Sequence, residues 1–70
     1  MDRKEAVALV KELGDKELIK PTFVIIHRDE PNRYKVQIKG DYDYKEILTF
    51  LKNRGYSFEE SKDFLIIFRQ

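Results

Sequence analysis

Few residues of this 70-residue chain could do chemistry. His27 is the only histidine, and a lone imidazole can act as a general base near neutral pH. No serine has the context of an activated nucleophile, and the chain has no cysteine. Paired carboxylates occur at Asp41/Asp43 and Glu59/Glu60. Asp43 reads as a helix cap and Asp41 as part of the turn after Gly40. The Glu pair reads as the solvated end of an edge strand, with Glu60 in reach of Lys62. A hard-cation site needs several converging oxygens, and no loop concentrates them. The remaining constellation is basic: Arg33, Lys35 and Lys39, with Arg28 and Tyr34 nearby. Sheet proteins that bind single strands set aromatic rings among cations on one face. Here Tyr34 alternates away from Lys35, which separates ring from charge.

Composition narrows the classes further. Fourteen basic and thirteen acidic side chains leave a net charge of +1, so no global field favours nucleic acid or an anionic membrane. No apolar run approaches the roughly 18 residues that span a bilayer, and the start MDRKEAVALV lacks the form of a signal peptide. The missing cysteines exclude disulfides and thiolate metal sites, and with them the sequence reads as cytoplasmic. Glycine-rich phosphate loops, zincin motifs, nucleophile elbows and zinc-finger spacings are absent. The expectation is a protein that is not an enzyme and needs neither cofactor nor metal. Residues 1–70 form one domain, small enough that a core alone is barely sufficient. Association with another chain is the stabilising device left open.

The elements that would position these residues show themselves as a repeat. Sliding the chain by 41 places aligns 2–28 with 43–69 without a gap. Asp2, Lys4, Glu5, Lys11, Gly14, Phe23, Ile25, Ile26 and Arg28 match Asp43, Lys45, Glu46, Lys52, Gly55, Phe64, Ile66, Ile67 and Arg69, nine identities in 27. Duplication, or two amphipathic units built by the same rules, accounts for it. Either origin predicts the same local structure twice. Each unit opens with an N-cap acceptor three residues before a glutamate, Asp2-x-x-Glu5 and Asp43-x-x-Glu46. Apolar residues follow at helical spacing, Ala6, Leu9, Val10 and Leu13 in one and Ile47, Phe50 and Leu51 in the other. Gly14 and Gly55 are the expected stops, which predicts helices over 3–13 and 44–54, with Arg54 turned to solvent. FVIIHR and FLIIFR then predict strands over 22–28 and 64–69, the first entered through Pro21. RYKVQIK predicts a strand over 33–39 after the turn Asp29-Glu30-Pro31-Asn32. Tyr56 and Phe58 alternate with polar neighbours, which suits a short edge strand over 56–60.

The expected architecture is an α+β two-layer sandwich in the order α-β-β-α-β-β. Two helices cover one face of a three- to four-stranded sheet, with strands 22–28 and 64–69 central because they are apolar on both faces. Two short helices cannot readily cover two faces, so an apolar strip should stand on the open one. If Arg28 pairs with Arg33, that surface comprises Val24, Ile26, Arg28, Arg33, Lys35, Gln37, Lys39, Leu65 and Ile67. A register shifted by one exposes Phe23, Ile25 and His27 instead. Contiguous apolar patches mark partner sites. The functional expectation is therefore a non-catalytic interaction module, self-associating through its open sheet face or binding another protein. The alternative is a single-stranded nucleic-acid binder using the basic row on 33–39. No membrane partner is expected.

Residues 43–69, a helix followed by GYSFEESKDFLIIFR, resemble the C-terminal half of the small TusA/SirA-like sulfur-carrier domains. That half also runs through helix, glycine, acidic hairpin and apolar strand. The resemblance implies a two-layer α/β fold. It does not extend to sulfur-carrier chemistry, because that family's Cys-Pro motif is missing and the first helix here begins DRKEA. The strand expected over 33–39 has no place in that family's order.

Overall fold

The computed structural model describes residues 1–19, 24–31, 33–40 and 44–69. The order is α1 (Arg3–Asp15), β1 (Val24–Glu30), β2 (Arg33–Lys39), α2 (Tyr44–Asn53), β3 (Ser57–Glu60) and β4 (Phe64–Phe68). Both helices and all four strands fall where the sequence places them, within two residues at each described end. Pro21, Phe23, Asn32, Asp41 and Asp43 lie outside the described residues, and so do the expectations that rest on them.

The first helix starts as its capping signature requires. The Asp2 carboxylate accepts from the Glu5 backbone N–H at 2.7 Å, satisfying an amide of the first turn. Its end differs from expectation. Gly14 sits inside the helix, which runs two residues past the expected end, to Asp15. There Glu17 adopts φ 57°, its N–H bonds the Gly14 carbonyl, and the Leu18 N–H bonds the Leu13 carbonyl. These two bonds define a Schellman motif, with glutamate at the left-handed position that glycine normally fills. The second helix closes with the same two bonds, Gly55 N–H to Lys52 and Tyr56 N–H to Leu51, and here glycine does occupy the left-handed site at φ 76°. The aligned glycines are therefore not equivalent. The first helix is closed by Glu17 and the second by Gly55.

The sheet is antiparallel throughout, in the order β1-β2-β4-β3. This corrects one expectation: the strand around 22–28 is an edge, and 33–39 takes the centre beside β4. Two-sided apolarity in FVII does not make it central. What decides is which strand can donate a continuous inner face, and β2 does so through Val36 and Ile38. Val36 pairs with Ile67 and Ile38 with Leu65, and all four are fully buried. Ala6, Leu9 and Leu13 of α1, Ile47 and Leu51 of α2, and Ile19 complete a single ten-residue cluster. Both helices thus pack on this one face, burying stripes that recur every three or four residues. The repeat survives as sequence, but its two strands occupy different places, edge and centre.

The two helix ends make a paired prediction. A Cβ added at Gly55 would meet only the tip of Arg69 at 3.9 Å, so Gly55→Ala tests conformation rather than space. It should cost about 1 kcal/mol, whereas Glu17→Gly should stabilise by about 0.5–1 kcal/mol. Urea unfolding of the two variants checks this, and equal shifts of the same sign would contradict the assignment of both residues to the left-handed site.

Candidate interaction surface

Strand register sorts the side chains between two faces. Val24 pairs with Ile38 and Ile26 with Val36, which puts Val24, Ile26 and the exposed Arg28 on the helix side. Leu65 and Ile67, 0% exposed, are core. Five of the nine expected surface residues therefore turn away from the open face: Val24, Ile26 and Arg28 because the hairpin pairs Arg28 with Tyr34 rather than Arg33, and Leu65 and Ile67 because β4 pairs them with Ile38 and Val36. The shifted register is the one adopted, with a bulge between Arg28 and Glu30 absorbing the difference. Arg33, Lys35, Gln37 and Lys39 remain on the open face, since they alternate with the buried Val36 and Ile38.

The rest of that face is built from residues that the other register hides. Ile25 pairs with Gln37, Gln37 with Ile66 and Ile66 with Glu59, so these four form one row across the sheet. Phe64 and Phe68 flank Ile66 along β4, half-buried yet outside the core and its packing neighbours. Ile25 is 42% exposed. The face thus carries columns: Ile25 and His27, then the basic column of β2, then Phe64, Ile66 and Phe68, then Ser57 and Glu59. Sequence reasoning missed the β4 column because FLIIF is apolar on both faces and gives no parity of its own.

Polar groups on this face are largely engaged. The His27 Nε2 donates to Gln37 Oε1 at 2.6 Å, a cross-strand bond that makes the histidine a surface partner rather than a base aimed at a cleft. Lys35 Nζ lies 3.4 Å from Asp29 and 5.6 Å from the centre of the Phe68 ring, within cation–π range. Arg33 approaches Glu30 at 4.0 Å. Glu59 and Glu60 project to opposite faces, opposite Ile66 and Leu65, so they cannot converge on one ion. Among the described residues no three His, Cys, Asp or Glu are grouped to hold a metal, and no polar side chain is buried. No helix among them is long and apolar enough to cross a membrane.

A groove of about 290 Å³ opens at one end of the sheet, lined by Asp29, Arg33, Tyr34, Lys35, Phe68 and Arg69 among others. Its third cation is also committed. Arg69 Nε donates to Glu5 at 2.8 Å, the Tyr56 hydroxyl donates to the same carboxylate oxygen at 3.1 Å, and the guanidinium stacks 4.2 Å above the Tyr56 ring. This clasp ties α1 to the end of β4 and to the loop after α2. A second clasp joins the helices, with Arg54 forked onto Glu12 and lying 4.9 Å over Phe50. Arg54, which replaces the leucine expected from the repeat, is exposed yet engaged.

Comparison with known proteins finds no matching family model, no matching curated protein and no matching solved structure.

Burial, and then the neighbouring Glu5 carboxylate, hold the Tyr56 hydroxyl above the ordinary tyrosine value of 10.0. A raised folded value means that the neutral form is favoured in the native state. Its contribution is therefore complete below 10.0 and is lost as pH climbs from there through the folded value. Tyr56→Phe should lower stability by about 1 kcal/mol at neutral pH. The gap to the parent chain should narrow on the alkaline side, as followed by thermal melts across that range. A gap that stays constant to strongly alkaline pH would contradict the clasp.

Proposed function

We propose that this chain is a non-catalytic interaction module whose working surface is the open face of the sheet, and that a second copy of the chain covers it. The observation that carries this is the β4 column. Phe64, Ile66 and Phe68 stand on the face opposite the helices, with Ile25 in the same row as Ile66. A facing copy would give the rings and isoleucines the apolar cover that the single helical layer leaves out.

Like-charged columns should not be superposed. A twofold axis parallel to the strands, between β2 and β4, avoids this by laying the β2 column of each copy over the β4 column of the other. Lys35 and Lys39 then meet aromatic rings instead of one another. Sedimentation at high micromolar concentration should show association that Ile66→Lys abolishes while its circular dichroism stays native. A monomer at that concentration sinks the proposal.

One observation favours a second reading, single-stranded nucleic acid. The register puts Phe64 and Phe68 on the same face as Lys35 and Lys39, which removes the separation of ring from charge noted for Tyr34. Stacking rings among cations are what such surfaces use. Against it, Lys35 and Arg33 already face Asp29 and Glu30, and the chain's net charge is +1. Fluorescence anisotropy with a labelled single-stranded RNA separates the two: nucleic-acid binding falls steeply with added salt, and apolar self-association does not.

A further inference from the structure

The two edges of this sheet are not protected alike. β3 has four residues, and both of its final glutamates are exposed. β1 has seven; Val24–His27 contains no Asp, Glu, Lys or Arg and no proline, and the bulge of this strand lies beyond it, between Arg28 and Glu30. Short strands, edge charges, prolines and bulges are the devices that keep sheet edges from pairing. Over its first four residues β1 has none of them.

The backbone of β1 can be oriented from bonds elsewhere in the sheet. Tyr34, opposite Arg28, gives its N–H to the Met1 carbonyl at 2.8 Å and so points away from β1. Backbone groups alternate sides along a strand, so Val36 and Ile38 also point away, while Lys35 and Gln37 bond His27 and Ile25. The far end of the sheet agrees. The Ser61 N–H bonds the Phe64 carbonyl at 2.9 Å, which turns Phe64 toward β3 and leaves Leu65 and Ile67 to bond Ile38 and Val36. The N–H and C=O groups of β1 that point away from β2 therefore belong to Val24, Ile26 and Arg28, all directed outward from the edge.

We propose that β1 pairs antiparallel with β1 of a second copy about a twofold axis at Ile26, merging two four-stranded sheets into one of eight. Ile26 faces Ile26 and Val24 faces Arg28, and each pair exchanges two N–H···O bonds. No like charges stand directly opposite. On the open face Ile25 comes beside His27, and on the helix side the Arg28 stem covers Val24.

The inference rests on the reading that the open face self-associates, and it engages a different surface of the same sheet. Edge pairing keeps both open faces on one side. Its twofold axis, normal to the sheet outside β1, does not meet the facing axis between β2 and β4, so the two contacts used together build an open assembly rather than a closed oligomer.

The chain has no cysteine, so single-cysteine variants report the edge directly. Under mild oxidation Ile26→Cys should crosslink to itself, because directly paired residues fall within disulfide reach. Ile25→Cys, which faces His27, should not. In sedimentation the parent chain should form species heavier than a dimer that grow with concentration. Ile26→Pro, which removes an outward N–H, should reduce these to a facing dimer, and Ile66→Lys should reduce them to an edge dimer. A dimer that Ile66→Lys dissociates and Ile26→Pro leaves intact overturns the edge proposal and keeps the facing one. The reverse pattern keeps the edge and overturns the face, and a monomer overturns both. Should Ile26→Pro fail to fold, the crosslinking pair decides alone.

Discussion

The molecule depends on the parity of β2. That strand has only three apolar side chains, Tyr34, Val36 and Ile38, and all three face the same way. Once Val36 and Ile38 are buried, every other choice follows from the ladder. Ile67 and Leu65 must join them from β4, and Val24 and Ile26 from β1. Both helices must lie on that face, since no other strand offers a second inner surface with polar alternates. The price is set by the neighbours: β1 and β4 are apolar on both sides, so the ladder that buries half of each strand necessarily exposes the other half.

Polar interactions in this structure attach and position; they do not form the core. Glu5 illustrates the difference. As the third helical residue it could turn back to the start of its own helix, as in a capping box. Instead its carboxylate gathers Arg69 and Tyr56, joining the first turn of α1 to the last residues of the sheet. Glu12 does the same for Arg54. These contacts are partly exposed, where an ion pair contributes little. Their effect is geometric, since they hold the two helices side by side over a core of ten residues.

Much of the fold was legible in the sequence and much of the surface was not, for physical reasons that differ by residue. Asp2, with Glu5 three places on, announces the start of α1, and Gly55 announces the end of α2, because each terminus is a local problem with a local solution. The alternation of RYKVQIK announces β2 for the same reason. Glu17 is silent, since nothing in a glutamate's type signals a left-handed backbone. FVII and FLIIF are silent about parity, because a strand apolar on both faces looks the same in either register. Parity reaches them only through the bulge after Arg28 and the pairing with β2, which are properties of the assembled sheet. The surface residues read correctly were those of the alternating strand, Arg33, Lys35, Gln37 and Lys39. Those read incorrectly, Val24, Ile26, Arg28, Leu65 and Ile67, came from the two ambiguous ones.

The strand order β1-β2-β4-β3 also has a kinetic consequence. β1 with β2, and β3 with β4, are neighbours in sequence and can close as hairpins within microseconds. The central seam, β2 with β4, can form only after α2 and β3 have been looped out between them, and its closure entropy must be met before Val36, Ile38, Leu65 and Ile67 can bury one another. The folding barrier should therefore lie at the seam that forms the core. Substitutions there would slow folding, whereas those in the outer half of β1 would mainly hasten unfolding.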